Sequence, residues 1–343
     1  MGQNFKFNIS VTLLLNIYKE RITNLLFNIQ KIYYPVMAAI AVPVNVITIF
    51  ILTGGKCGLS KCVTRYLIAM AAADLMVVIS DLILRQISIL YPEHFTILLS
   101  LPLCNIHAVI LFTTTDCSVW FTVTFTFDRF VAICCQKLKK RYCTEKTAAV
   151  VLGTVTALSC LKDITWYFMF TGKYWLANLP WFCDATWNVR NSRVWGTIEF
   201  LHYILTPGVP FVLILLLNAL TIRHISVASR ARRRLQVHSS GKRIKDPEME
   251  NRRKSIILLF LISANFILLW AIFMFFSIWN RMWFLGYCSV FLPNFVQEIG
   301  FMFQLLSCCT NSCIYAVTQS KFREQFKNAV KYPLHVILKM MKL

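Results

Sequence analysis

Seven apolar runs limit what this chain can fold into: residues 33–53, 63–90, 101–135, 147–170, 200–222, 255–279 and 291–318. Each approaches or exceeds the roughly 20 residues a helix needs to cross about 30 Å of hydrocarbon. In hydrocarbon every backbone N–H and C=O must be paired within the protein, so a spanning segment is a helix or a strand of a closed barrel. Runs of this length without period-two alternation exclude the barrel. The expected fold is an all-α membrane protein, a seven-transmembrane helix bundle. After it, Phe322, Phe326 and Val330 recur every four residues with Lys and Arg on the other face. That pattern predicts a short amphipathic eighth helix over 321–331, ended by Tyr332-Pro333. The organisation is then an extracellular tail at 1–32, the bundle at 33–319 with a basic intracellular loop at 223–254, and a cytoplasmic amphipathic helix and short tail at 320–343.

Only 15% of the residues are charged, against about a quarter in soluble domains. The net charge of +21 raises nucleic acid as a partner, but the basic residues alternate with apolar runs instead of forming one patch. The lipid membrane is the partner that pattern fits, and nucleic acid is not. Loops 54–62, 136–146 and 223–254 and the tail from Lys321 hold 25 of the 36 Lys and Arg, counting Arg65 beside the first loop. The positive-inside rule puts those segments and the C-terminus in the cytoplasm and the N-terminus outside, at the plasma membrane. Asn8-Ile9-Ser10 is then an external glycosylation sequon. Cys104 and Cys183 both face an oxidising space and can pair, which leaves Cys288 over.

Signals of an enzyme are missing. There is no phosphate-cradling glycine loop, no His/Cys cluster at metal-ligand spacing, and the six His are scattered. No metal and no cofactor are expected, and the chemistry lies in polar residues inside the spans. Asp128 and Arg129 close the inner end of the third run, where charge near hydrocarbon must find a partner or reach water. Two readings stand for Arg129: an anchor that snorkels to the interface, or a latch that Asp128 holds in one state and releases in another. Asn45, Asp74, Asn218 and Asn311 lie in the first, second, fifth and seventh runs. Interhelical glue, at about 0.6 kcal/mol per hydrogen bond, accounts for an Asn. A mid-span carboxylate such as Asp74 marks an ion, proton or switching site by default.

These residues stand in motifs. L-I-A-M-A-A-A-D ends at Asp74; Asp128-Arg129-Phe130 begins 24 residues after Cys104; Phe266-Ile267-Leu268-Leu269-Trp270 lies in the sixth run; Asn311-Ser312-Cys313-Ile314-Tyr315 lies in the seventh. In that order they resemble the rhodopsin-like (class A) G-protein-coupled receptors over about residues 33–332. The finer resemblance, carried by K-C-G-L-S-K-C-V-T-R-Y-L and T-Q-S-K-F-R-E-Q-F-K, is to the orphan subgroup of G-protein coupled receptors 139 and 142. The resemblance implies a receptor for a small extracellular ligand that activates a heterotrimeric G protein, with arrestin as a further partner. Asp128, Arg129, Phe130, Asn311 and Tyr315 are the implied G-protein switch, and Phe266 with Trp270 the implied toggle. A sodium ion is implied near Asp74, in a polar core with Asn45, Ser307 and Asn311. Phe130, Ser312 and Ile272 replace the family's Tyr and two prolines, and Asn218 lies near the place of an absent helix-five tyrosine.

Leu111 stands where amine receptors of the family carry Asp, so a monoamine is disfavoured. The ligand-binding candidates are Arg85, Leu111, Phe112, Asp116, His202, Phe273, Glu298 and Phe301, with Asp81, Glu199 and Gln297 as further polar groups. Phe112, Trp270, Phe273 and Phe301 are expected to form one aromatic wall. Arg85 is expected to bind a ligand carboxylate, unless it pairs with Asp81 four residues before it. The subgroup resemblance implies an aromatic amino acid or short peptide as ligand, and coupling through the Gq/phospholipase C branch. Regulatory phosphorylation is expected at Ser239 and Ser240, since the tail after Ser320 has no Ser or Thr. The rival readings are a non-coupling decoy or scaffold receptor and, less well matched, a membrane transporter, which would show inverted repeats.

Overall fold

The computed structural model describes the backbone of residues 2–94, 101–168, 192–236 and 247–340, with side chains over 17–331 of these except 92, 101–102, 231–236 and 247–252. Seven helices are long and apolar enough to cross a membrane: α1 (Gly2–Thr53), α2 (Lys61–Leu90), α3 (Leu101–Cys134), α4 (Glu145–Phe168), α5 (Arg193–Arg230), α6 (Pro247–Phe284) and α7 (Asn294–Thr318). An eighth, α8 (Ser320–Met340), follows, and a short basic helix, Gln136–Tyr142, lies between α3 and α4. No strand occurs among the described residues. The chain is a multi-pass helical bundle, as its apolar runs require.

Local signals set several helix starts. Ser60 accepts a hydrogen bond from the Val63 N–H at the start of α2, and Thr144 accepts one from the Thr147 N–H at the start of α4. Gly55 and Gly58 turn the chain from α1 to α2 at φ of +68° and +70°, a region that strains residues with a Cβ. Two helices contain wider π turns, Val78–Ile87 in α2 and Ile204–Gly208 in α5. The second holds Pro207, whose missing N–H suits a break in the hydrogen-bond ladder.

Two ends differ from expectation. α1 is helical from Gly2, so the segment expected as a tail continues the first span, and its only prolines come later, at 35 and 43. α8 was expected to stop at Tyr332-Pro333 but runs to Met340. One lost backbone bond does not end a helix whose sequence goes on with helix-forming Leu, Lys and Met. Cys183, Ser239 and Ser240 lie outside the described residues, as does the side chain of Asn8.

The core has three apolar groups. At the basic end Tyr66, Leu67, Phe125, Leu258, Tyr315 and Phe322 join α2, α3, α6, α7 and α8. Tyr34, Val78, Leu82 and Leu305 join α1, α2 and α7. Val119, Ile214, Phe266, Trp270 and Phe273 join α3, α5 and α6. α6 and α7 meet closely at Gly300, where an added Cβ would lie 2.9 Å from the Phe273 Cα. Backbone cannot swing aside as a side-chain tip can. Gly300→Ala is therefore expected to force α6 and α7 apart and destabilise the protein by about 1–3 kcal/mol, read as a lowered melting temperature of the purified protein. A wild-type melting curve would overturn this close approach.

Candidate functional site

The basic end of α3 holds a closed charge pair. Asp128 is 0% exposed and Arg129 7% exposed. Arg129 donates to Asp128 Oδ2 through Nε at 3.0 Å and also through Nη2. Its Nη1 reaches Ser255 Oγ of α6 at 3.4 Å. The guanidinium turns back into the bundle instead of toward water, the position in which a latch would be held. Two thiols complete it. Cys62 Sγ of α2 donates to Asp128 Oδ1 at 3.2 Å, and Cys143 Sγ donates to the Asp128 carbonyl at 3.6 Å. Burial and the nearby Asp128 charge push the Cys143 thiol up to about 12, so it stays protonated, a donor, at neutral pH. Phe130, third in the motif, is half-buried beside Phe127 at a ring distance of 6.4 Å.

Midway along the bundle Asp74 is 1% exposed and both its oxygens accept. Ser118 Oγ of α3 donates to Oδ1 at 2.6 Å, and Asn311 Nδ2 of α7 donates to Oδ2 at 2.8 Å. Asn311 Oδ1 takes a bond from Asn265 Nδ2 of α6 at 3.3 Å, and Asn265 Oδ1 takes one from Thr310 Oγ1 at 2.8 Å. Trp270 Nε1 donates to Ser307 Oγ at 3.1 Å, and Ser307 donates to the Gln304 carbonyl at 2.6 Å. Phe266 stacks on Trp270 at 5.5 Å. Asn45 does not reach Asp74: its amide bonds the carbonyls of Ala41 and Cys308, tying α1 to α7. Ser312, in the place of the family's proline, accepts from Thr48 Oγ1 at 2.9 Å. Tyr315 is 1% exposed against Phe322, at a ring distance of 6.0 Å. Asn218 donates to the Ile214 carbonyl of its own helix at 2.8 Å.

At the opposite end the ligand candidates do not form one group. Trp270, Phe273 and Phe301 form an aromatic wall, with ring distances of 6.0 and 5.2 Å. Phe112 is not in it. It stacks on Trp166 at 4.1 Å and meets His202 edge-on at 5.1 Å. Leu111 is 4% exposed. Asp116 and His202 are both held by Lys162, with Nζ 2.5 Å from Asp116 Oδ2 and 2.9 Å from His202 Nδ1. Lys162 also lies 3.2 Å from Asp163. The Lys162-Asp163 interruption of the fourth run is thus answered by α3 and α5. A polar cluster invisible in the sequence appears here, since Asp116, Asp163 and His202 converge from three helices around Lys162.

The other polar candidates are also engaged. Glu298 accepts from Gln30 Nε2 at 2.8 Å, and Glu199 pairs with Arg281 at 2.5 Å. Arg85 Nη2 lies 2.7 Å from Asp81 Oδ1, and its guanidinium sits 4.5 Å over the Phe301 ring. Neither Nε nor Nη2 of Arg85 makes an aligned hydrogen bond. The expected pairing with Asp81 exists, and it leaves donors beside the aromatic wall. Cys104 is 1% exposed at the start of α3 and is not free, and Cys288 is a free thiol. Sequence reasoning missed Cys62, Ser118, Asn265 and Thr310 as partners of the motif residues. Ser118, Asn265 and Thr310 are small polar residues inside a span and Cys62 lies in the first turn of α2, with no signal of their own beyond that.

Residues 44–315 match the family described as 7 transmembrane receptor (rhodopsin family). A curated relative, the Tachykinin-like peptides receptor 86C of Drosophila melanogaster, is 22% identical over 322 residues, covering 88% of this chain. The chain spans 58% of that relative's length.

The latch geometry sets an order of effects. Asp128→Asn leaves a buried guanidinium without its carboxylate and is expected to cost about 3–5 kcal/mol. Cys62→Ala removes one thiol donor and is expected to cost about 1 kcal/mol. Thermal unfolding of the purified variants reads both, and equal losses would contradict this assignment of roles.

Proposed function

The chain belongs to the rhodopsin family of seven-transmembrane receptors, and on that premise we propose that it lies in the plasma membrane with its basic end in the cytoplasm, binds a small molecule or short peptide at the opposite end, and activates a heterotrimeric G protein. The observation that carries this reading is the continuity of contacts along α6. Trp270 meets the aromatic wall, Asn265 joins the Asp74 network through Asn311, and Ser255 touches Arg129. A ligand that binds better to a state with α6 shifted draws the population to that state. In it Ser255 leaves Arg129, the latch opens, and the groove at the basic end takes a G-protein segment.

The ligand class is an aromatic amino acid or short peptide. The aromatic wall suits a ring, and the Arg85 guanidinium over Phe301, paired with Asp81 but with its Nε unbonded, suits a carboxylate. The tachykinin-like relative is named for peptides, which supports the peptide side of this choice. The resemblance to the 139/142 subgroup supports coupling through the Gq/phospholipase C branch. Arrestin is proposed to follow phosphorylation of Ser239 and Ser240. Sodium near Asp74 fits the donor chemistry, because the carboxylate and the Ser118 hydroxyl are hard oxygens on neighbouring helices. Asp74 and Ser118 would hold the ion, which would supply positive charge beside a buried carboxylate. A decoy receptor that binds without coupling is the second reading, favoured by Phe130, Ser312 and the unbroken helix at Ile272.

Calcium and inositol-phosphate responses of cells expressing the chain, challenged with amino acids and aromatic peptides, test the proposal. A response is expected, and Arg129→Ala is expected to abolish it without removing the protein from the surface. A surface-expressed wild type that is silent to the panel and has no basal signal would favour the decoy. Arg85→Gln is expected to weaken agonists that carry a carboxylate about tenfold, or about 1.4 kcal/mol, and to leave their amide analogues unchanged. Unchanged potency for the carboxylate forms would remove Arg85 from the ligand site.

A further inference from the structure

Asp116 of α3, Asp163 of α4 and His202 of α5 meet at one point in the bundle. They are 1%, 0% and 7% exposed. One ligand atom of each lies within 4.8 Å of the others. The cluster already holds a cation, the chain's own: Lys162 Nζ contacts Asp116, Asp163 and His202 Nδ1 at 2.5, 3.2 and 2.9 Å. That cation answers the site only in part. Two carboxylates face one ammonium, and Asp116 Oδ1 and Asp163 Oδ2 have no hydrogen-bond partner although fully buried. Buried carboxylate oxygens left without a donor are costly.

Lys162 differs from the three groups that hold it. Its side chain is 29% exposed, and its four-carbon stem lets the ammonium swing out without moving the backbone. What it leaves behind is two carboxylates and one imidazole nitrogen. That mixed set suits a borderline-soft ion that takes nitrogen and oxygen in a tetrahedral shell, and it has too few oxygens for magnesium. The supporting layer is present as well. Trp166 Nε1 donates to Asp163 Oδ1 at 3.2 Å, and Phe112 stacks on that indole. A carboxylate fixed from behind in this way is a better ligand.

We propose that Asp116, Asp163 and His202 form a binding site for a divalent transition-metal cation of the zinc class, which Lys162 fills when the ion is absent and vacates when it binds. The exchange makes metal–oxygen and metal–nitrogen bonds and breaks only the contacts of Lys162. The ammonium leaves with its three protons, His202 offers the Nδ1 lone pair now turned to Lys162, and two positive charges replace one beside two negative ones. The ion then clasps α3, α4 and α5 two residues before the π turn Ile204–Gly208.

The test uses full-length receptor in lipid nanodiscs, with thermal unfolding followed during titration by zinc chloride and, in parallel, magnesium chloride. Zinc is expected to raise the melting temperature to a plateau, and magnesium to leave it unchanged. Lys162→Met keeps the stem and removes the competing charge. If Lys162 occupies the site nine-tenths of the time, the zinc midpoint falls about tenfold in this variant. His202→Ala and Asp163→Asn are expected to abolish the zinc shift. A shift that survives in His202→Ala, or its absence from both wild type and Lys162→Met, would overturn the proposal. If Lys162→Met does not fold, wild type against His202→Ala decides. None of these readings uses signalling, so the result stands apart from the test of receptor function.

Discussion

A carboxylate in the middle of an apolar bundle has no water to share its charge with, so it must take donors from the helices around it. Asp74 takes one from α3 and one from α7, and through Asn311 it reaches α6. Four helices are thereby held in register at one height. Each such bond adds little, about 0.6 kcal/mol, while a missing partner costs about 1–3 kcal/mol or more. The network therefore acts less as glue than as a penalty on every other register. Asp128 and the Asp116–Asp163 pair repeat the arrangement elsewhere in the bundle, and in both a basic side chain carries part of the answer.

The spans were legible because hydrocarbon thickness sets a length that composition reveals. Their ends were less so. A helix does not stop where hydrocarbon stops, and neither the residues before Tyr33 nor Pro333 ended one. The site was legible where its residues are neighbours in sequence, as in Asp128-Arg129 or Asn311 to Tyr315. It was not legible where partners come from other helices. Ser118 and Asn265 look like any small polar residue until the register of α3 and α6 is known. Asp116 and Asp163 lie 47 residues apart and His202 a further 39, so no spacing rule brings them together.

The misplacing of Phe112 has a similar cause. Successive side chains on a helix point about 100° apart. A wall drawn from sequence puts Phe112 with Trp270, Phe273 and Phe301 without knowing which way α3 turns it. In the bundle Phe112 turns to Trp166 of α4, while Phe273 and Phe301 face each other across α6 and α7. The two aromatic groups also differ in company. One roofs a charged cluster, and the other lies under the guanidinium of Arg85.

α6 runs from Pro247 to Phe284 without a proline inside the span, Ile272 standing where the wider family bends. A straight rod is a lever. Fifteen residues separate Trp270 from Ser255, roughly 22 Å of helix at 1.5 Å per residue. A tilt of about 10° at the Trp270 fulcrum then carries Ser255 sideways by about 4 Å, taking the arm length from the same rise per residue. The 3.4 Å contact between Ser255 and Arg129 cannot survive that travel. On the coupling reading, an unkinked helix would turn a small rotation at the tryptophan into a loss of contact at the arginine, so the missing proline does not by itself decide for the decoy.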